Sequence, residues 1–123
     1  MERKKILLVD DSSTVLLMER MILAKSAYDV VTARDGQEGV EKARAERPDL
    51  ILMDVVMPRM DGFEACRKLR EHEETAAIPV IMVTTRGELA SVETGYASGC
   101  TDYVTKPING LELLAKVRSC LGQ

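Results

Sequence analysis

Residues 6–11, Ile-Leu-Leu-Val-Asp-Asp, decide the fold, because an apolar run here ends in two carboxylates. A run that is apolar throughout is typical of a parallel strand covered on both faces of a sheet. Three later short runs also end in polar residues: Leu50–Met53 before Asp54, Val80–Val83 before Thr84, and Tyr103–Thr105 before Lys106 and Pro107. Because the carboxyl ends of parallel strands meet at one edge, we expect three carboxylates, a hydroxyl and an ammonium group to converge there.

The rest of the chain alternates between short β-branched runs and helical patterns. We expect strands near residues 5–9, 29–33, 50–54, 79–84 and 102–105, and helices near residues 13–25, 36–46, 62–72, 87–98 and 109–121. Asp35 with Glu38, and Asn109 with Glu112, have the spacing of capping boxes, which begin helices. Strict alternation of strands and helices predicts right-handed crossovers and an open, doubly wound α/β sheet.

The composition sets limits on function. The 123 residues are enough for a proper core, and without a linker or repeat we expect residues 1–123 to be one domain. A formal net charge of −3 gives no basic face for direct nucleic-acid binding, and no apolar stretch is long enough for membrane insertion. Cys66, Cys100 and Cys120 lack the spacing of metal ligands, so we expect reduced packing thiols in a cytoplasmic protein.

Asp10, Asp11 and Asp54 indicate a metal site if the first and third strands are neighbours. Two unit charges about 5 Å apart repel by roughly 3 kcal/mol at an effective dielectric constant of about 20. Three carboxylates therefore need a cation or bound protons, and hard oxygen ligands in an open site favour Mg²⁺. Lys106 and Thr84 add an ammonium and a hydroxyl group for phosphate oxygens. Together these residues predict a phosphorylation switch that binds Mg²⁺ and accepts a phosphoryl group.

Each of these residues, taken alone, also has a purely structural interpretation. Acidic residues after a strand often cap the next helix, a task that Ser12 and Ser13 could share. Lys106 followed by Pro107 is, by itself, a turn. All of these polar residues fall at the same point of successive strand–helix units, namely at the end of the strand. This shared placement favours the functional interpretation. Asp54 in particular needs a partner, because it ends a strand that is buried on both faces.

On these residues the chain resembles the receiver domain of two-component response regulators, over essentially its full length. The matching segments are Val9–Ser12, Met53–Gly62, Val83–Thr85 and Asp102–Pro107. The resemblance implies a flavodoxin-like fold, a five-stranded parallel sheet in the order 2-1-3-4-5 with helices on both faces, as in the chemotaxis regulator CheY. It also implies a signal-transduction switch rather than a turnover enzyme.

The resemblance implies that Asp54 accepts its phosphoryl group from the phosphohistidine of a sensor histidine kinase or a histidine phosphotransfer protein. The side chains of Asp11 and Asp54 and the backbone carbonyl of Val56 would ligate Mg²⁺. Asp10 would reach the ion through a water molecule.

Four further residues complete the site that the resemblance implies. Thr84 and Lys106 would bind the phosphoryl oxygens, and the Lys106–Pro107 peptide bond would be cis. Thr84 would then move toward the phosphoryl group while Tyr103 turns inward. This movement would change a surface that a downstream protein target recognises.

Two other functions stay open at this point. A receiver that signals through protein contacts without phosphorylation is disfavoured, because every matching position is filled. A hydrolase with an aspartyl nucleophile on a similar sheet typically has Asp-x-Asp after one strand, whereas Asp10 and Asp11 are adjacent. The chain ends directly after the fifth helix, which favours a stand-alone receiver over the amino-terminal part of a longer regulator.

Some positions leave details of the mechanism open. Three residues at the site entrance can affect access or the attacking water, and with it the rate of dephosphorylation: Val56, Thr85 and Arg86. Weak helix formers such as Gly87 and Gly95 predict that the fourth helix is the least stable of the five. Leu16 and Leu17 form either an apolar docking patch for a kinase or phosphotransfer helix, or additional core.

Overall fold

Five strands and five helices alternate in this computed structural model, which describes residues 3–85 and 89–123. The strands are β1 (Lys5–Val9), β2 (Asp29–Ala33), β3 (Leu50–Asp54), β4 (Val80–Thr84) and β5 (Asp102–Thr105). The helices are α1 (Ser13–Leu23), α2 (Gly36–Glu46), α3 (Gly62–Glu71), α4 (Leu89–Ala97) and α5 (Gly110–Cys120). All ten predicted elements are present, and the predicted start of the fourth helix at Gly87 lies outside the described residues. Within those residues, no helix has the length and apolar character needed to cross a membrane.

One sheet contains all five strands, which are parallel and in the order β2-β1-β3-β4-β5. The strand order that the resemblance implied is therefore confirmed. The direction of winding reverses between β1 and β3, which places these neighbours at the switch point where such sheets bind ligands. Val9 lies opposite Met53, and Thr84 lies opposite Thr105, so the residues that follow them are level along this edge.

Two apolar cores, one on each face of the sheet, hold the helices in place. Leu7 and Val9 belong to the core shared with α2 and α3, whereas Ile6 and Leu8 belong to the core shared with α1 and α5. Strands β3 and β4 are buried at every position, as their apolar runs predicted. Burying one Leu or Ile side chain contributes about 1.5–3 kcal/mol. The central strands are therefore the most firmly held part of the sheet.

Side-chain caps begin α1, α2, α3 and α5. Asp35 and Asn109 accept hydrogen bonds from the backbone N–H groups of Glu38 and Glu112, as their spacing predicted. Asp61 caps α3 in the same way and was not predicted. A cap of this kind is typically worth about 1 kcal/mol, so these residues fix where each helix leaves the edge of the sheet.

Two arginines near the end of α3 fasten the loops that precede β4 and β5. The Arg70 guanidinium donates hydrogen bonds to the carbonyl oxygens of Gly99 and Ile78, each at 2.8 Å. Arg67 donates to the Ser98 hydroxyl at 3.1 Å. Gly99 has a φ of 99°, and an added Cβ would lie 2.9 Å from the Arg70 side chain. The turn after α4 is therefore tied closely to α3.

Adjacent leucines near the start of α1 face opposite ways. Leu16 is 7% exposed and packs in the core under α1 and α5, whereas Leu17 is 59% exposed. Of the two alternatives, Leu16 is additional core, and only Leu17 is available for docking. Met18 and Met21 are also exposed on this helix. We refer to Leu17, Met18 and Met21 as the α1 strip.

Replacing Leu16 by Ala should lower the free energy of unfolding by about 2–4 kcal/mol, because it removes buried methyl groups and leaves a cavity. Leu17→Ala is the matched control and should change this free energy by less than about 0.5 kcal/mol. Urea unfolding followed by circular dichroism measures both. Equal losses in the two variants would contradict the opposite orientations of these side chains.

Candidate functional site

Three carboxylates converge where β1 and β3 end. Asp10, Asp11 and Asp54 each place one carboxylate oxygen within 4.8 Å of the other two. Asp10 and Asp54 are buried, at 1% and 5% exposure, whereas Asp11 is exposed. The register that puts Val9 beside Met53 brings these residues to the same level. The convergence of the three carboxylates that the strand ends predicted is therefore present in the structure.

The ammonium group of Lys106 pairs with two of these carboxylates. Its Nζ atom lies 3.2 Å from Asp54 Oδ1 and 3.5 Å from Asp10 Oδ2. The Lys106–Pro107 peptide bond is cis, as the resemblance implied. The Lys106 backbone N–H donates to the Thr84 carbonyl oxygen at 2.6 Å. The end of β4 thus holds the loop that brings this lysine to the carboxylates.

The other residues predicted around the site take different positions. Thr84 ends β4, is 7% exposed, and lies on the strand next to Asp54. Val56 follows β3, and its side chain is turned to solvent. Thr85 is exposed at the same edge of the sheet. Arg86 lies outside the described residues.

Tyr103 lies on the edge strand β5, apart from the carboxylates. Its half-buried ring packs edge to face against Tyr96 of α4, with ring centres 6.2 Å apart and planes at 84°. Lys116 of α5 places its Nζ atom 4.8 Å from the centre of the Tyr103 ring and 3.3 Å from Asp102 Oδ1. We refer to Tyr96, Asp102, Tyr103 and Lys116 as the β5 cluster. It joins α4, β5 and α5 on one surface.

Neighbouring groups fix the turn that contains the first two aspartates. Asp10 Oδ1 accepts a hydrogen bond from the Ser12 N–H at 2.9 Å. Ser12 also caps α1, as its structural interpretation predicted. The Arg34 guanidinium, which follows β2, donates to the Asp11 carbonyl oxygen at 3.0 Å. The turn is therefore braced from the start of α1 and from the end of β2.

Burial and crowded negative charge together set the electrostatics of the site. Burial raises the pKa of Asp54 from 3.8 to about 6, the charge of Asp10 adds to this shift, and Lys106 opposes it. Burial also raises the pKa of Asp10, against the Ser12 N–H and Lys106. Burial disfavours the charged form of Lys106, but Asp54 and Asp10 outweigh burial and raise the pKa of the lysine. Lys106 therefore offsets only part of the effect that burial and the neighbouring carboxylate have on Asp54.

Glu19 is a fourth carboxyl group close to the site, and it was not predicted. It lies on α1, is 1% exposed, and has no hydrogen-bond partner for Oε1 among the residues that the structure describes. Burial raises the pKa of Glu19 to about 8, with a contribution from Asp10. The sequence held a signal for it, because residues 16, 19 and 23 share one helix face and residue 19 interrupts an apolar stripe.

The donor set fits a hard divalent cation. Carboxylate oxygens at a solvent-accessible edge are the ligands that Mg²⁺ prefers, and Mg²⁺ usually keeps several waters. The raised pKa of Asp54 shows that its ionised form is disfavoured, first by burial and then by the charge of Asp10, and that Lys106 does not fully offset these effects. The Oε1 atom of Glu19 also has no hydrogen-bond partner among the described residues. A bound cation would stabilise the ionised carboxylates.

Comparison with known proteins identifies the family. The family model of the response regulator receiver domain matches residues 6–118. The chain therefore belongs to the receiver family of two-component response regulators, whose members are signalling switches.

Curated relatives differ in length. Protein PilH of Pseudomonas aeruginosa is 43% identical over 117 residues, which cover 95% of this chain and 97% of PilH. The alkaline phosphatase synthesis transcriptional regulatory protein PhoP of Bacillus subtilis is 41% identical over 118 residues, which cover 96% of this chain and 48% of PhoP. The chain thus spans about half the length of PhoP and of several other transcriptional regulators that it matches.

Solved structures share the fold. Chemotaxis protein CheY4 of Vibrio cholerae gives a TM-score of 0.92 at 36% identity, over 98% of this chain and 100% of that chain. The receiver domain of sensor histidine kinase PA1611 of P. aeruginosa gives 0.91 at 30% identity, over 99% of this chain and 100% of that chain. The PA1611 structure has a magnesium ion coordinated in its active site cleft. Both comparisons agree with the flavodoxin-like architecture.

Replacing Asp54 by Asn should stabilise the metal-free protein at neutral pH. Because folding raises the pKa of Asp54, ionisation of this residue lowers the free energy of unfolding. The loss reaches its full size above about pH 6. This cost fades as the pH falls toward 3.8, where the unfolded chain also becomes protonated. We expect a gain of about 1–2 kcal/mol near pH 8, limited because Lys106 loses a partner, and no gain below about pH 4.

Urea unfolding in the presence of a chelator measures this dependence. Glu41→Gln removes an exposed carboxylate from α2 and serves as the control. A gain from Asp54→Asn that is equal at pH 4 and pH 8 would contradict the raised pKa.

Proposed function

We propose that this chain is a phosphorylation switch in which Asp54 accepts a phosphoryl group in an Mg²⁺-dependent reaction. The contact of 3.2 Å between Lys106 and Asp54, within a group of three carboxylates, carries the proposal. An ammonium group in this position can bind an oxygen of a phosphoryl group attached to the carboxylate. Membership of the receiver family supports the same function.

Asp54 would act as the nucleophile. One of its carboxylate oxygens attacks the phosphorus atom of the donor as the bond from phosphorus to the donor's histidine nitrogen breaks. The electron pair of that bond stays on the imidazole, which then takes up a proton. Because Asp54 is 5% exposed, the donor must bring its phosphoryl group right up to the edge of the sheet to reach the carboxylate.

Neighbouring groups would bind the ion and the phosphoryl oxygens. The groups that would hold Mg²⁺ are the side chains of Asp10, Asp11 and Asp54, with Asp10 acting through water, and the backbone carbonyl of Val56. When bound, the ion neutralises charge as the phosphoryl group arrives. Lys106 and the Thr84 hydroxyl would each bind one phosphoryl oxygen. Catalysis would thus consist of positioning and electrostatic stabilisation.

The phosphoryl group would stay on the chain as the signal. The chain would therefore promote its own modification rather than the turnover of a separate substrate. A phosphorylation-independent interaction module would share the fold, but it would have no use for a lysine held against the buried Asp54 carboxylate.

The α1 strip supports docking of a helical phosphodonor. Helix α1 begins at Ser13, two residues after Asp11, so the strip extends from the rim of the site. Its three side chains are between 41% and 63% exposed. A helix of a sensor histidine kinase or histidine phosphotransfer protein that packed on this strip would bring its phosphohistidine close to Asp54.

The β5 cluster supports a route for the output. Thr84 lies opposite Thr105, two residues along β5 from Tyr103. If Thr84 moves toward the phosphoryl group and Tyr103 turns inward, the Tyr103 ring leaves Tyr96 and Lys116. In that case the contacts in the β5 cluster would favour the unphosphorylated arrangement. A downstream protein target would recognise the altered surface of α4, β5 and α5.

Replacing Tyr96 by Ala should shift the chain toward the switched arrangement, because it removes the contact with Tyr103 that the proposed switch would break. An aromatic pair is worth about 1 kcal/mol, so phosphorylation by acetyl phosphate should become about two- to fivefold faster. Tyr96→Phe keeps the ring and is the control. Initial rates from intact mass measure the effect, and equal rates for both variants and wild type would count against a role for Tyr96.

Intact mass after incubation with acetyl phosphate and Mg²⁺ tests the proposed function directly. We expect the mass of one added phosphoryl group in the wild type, and none with a chelator or in Asp54→Asn. The absence of an adduct could reflect rapid hydrolysis, so the same samples are treated with beryllofluoride. Failure of both reagents in the wild type would favour the phosphorylation-independent module.

A further inference from the structure

Glu19 occupies a position in the apolar core where a leucine would be less costly. It lies between Leu16 and Leu23 on the buried face of α1. Its Oε1 atom has no hydrogen-bond partner in the described part of the chain. Burying a carboxyl group without a full set of partners destabilises a fold. An unsatisfied group of this kind in a native protein calls for an explanation.

The fold aims this carboxyl group at the acidic site. Side chains alternate along a strand, so Asp54 shares a face with Leu52, which packs in the core under α1 and α5. Helical side chains lean toward the amino end of their helix, and α1 begins at the edge of the sheet that carries the site. Glu19 therefore extends toward Asp10 and Asp54. Its electrostatic interactions with both aspartates and with Lys106 agree with this direction.

We propose that Glu19 is a fourth carboxylate of the Mg²⁺ site, which accepts a hydrogen bond from a water molecule on the ion and so increases its affinity. This inference rests on the Mg²⁺-dependent function proposed above. Mg²⁺ keeps several of its waters when proteins bind it, and those waters need acceptors. The Oε1 atom of Glu19, which has no hydrogen-bond partner among the described residues, is an acceptor on the protein side of the site.

Glu19 would be a positioning residue rather than a direct ligand. Groups of this outer kind orient a metal site, and their replacement typically weakens metal binding about 10–100-fold. The residue would thus contribute to metal binding at the expense of core stability. Opposite effects on these two properties are the signature that a purely structural role would not produce.

The experiment measures Mg²⁺ dissociation constants by isothermal titration calorimetry, and metal-free stability by urea unfolding in a chelator. Glu19→Gln keeps the shape of the side chain and removes its ability to ionise, whereas Glu19→Leu fits the apolar stripe. Glu41→Gln is the control, because it removes a carboxylate from an exposed position on α2.

We expect both Glu19 variants to bind Mg²⁺ about tenfold more weakly than the wild type. We also expect Glu19→Leu to unfold at a higher urea concentration without metal, because it no longer buries an unpartnered carboxyl group. Glu41→Gln should bind Mg²⁺ within about twofold of the wild type, since solvent and salt screen exposed charges.

Three results would overturn the inference. Unchanged affinity in Glu19→Gln would make the residue a bystander in the core. An equal loss of Mg²⁺ affinity in Glu41→Gln would show that overall charge causes the effect. Loss of both Mg²⁺ affinity and stability in the two Glu19 variants would show that damaged packing causes it. The proposed function is judged separately, because it fails only if the wild type takes up neither a phosphoryl group nor beryllofluoride.

Discussion

The pairing of β1 with β3 is the constraint on which the site depends. Both strands are apolar, and their parallel register puts Val9 beside Met53. Asp10 directly follows β1, and Asp54 is the last residue of β3. Burial of the apolar residues in these two strands therefore decides how close the two carboxylates lie. Two like charges at this spacing repel each other. The hydrophobic core therefore maintains an arrangement of charge that the carboxylates alone would not adopt, and this favours any cation that can enter.

Lys106 reduces the repulsion without removing it. Its backbone is held by the hydrogen bond from its N–H to the Thr84 carbonyl oxygen. In the proposed mechanism the same ammonium group would exchange a contact with the Asp54 carboxylate for one with a phosphoryl oxygen. The contact between Lys106 and Asp54 thus holds the ammonium group in place before the phosphoryl group arrives, so little reorganisation is needed during transfer.

Much of the fold and site could be predicted because the decisive signals are local in sequence. Each buried strand is an apolar run, and the polar residue after it must lie at the edge of a parallel sheet. The strand order came from the family resemblance, since alternation alone does not fix it. Helix rotation was the harder problem. Leu16 and Leu17 differ by about 100° around α1, and the same rotation decides whether Glu19 faces the site. The contact between Tyr96 and Tyr103 joins separate elements and has no local signal.

The hydrogen bonds from Arg67 and Arg70 to Ser98 and Gly99 attach the turn that follows α4 to helix α3. Tyr96 lies within one helical turn of this attachment, so a rearrangement of α4 about it would move Tyr96 less than residues farther along the helix. The Tyr103 ring therefore packs against the part of α4 that is nearest to its attachment to α3.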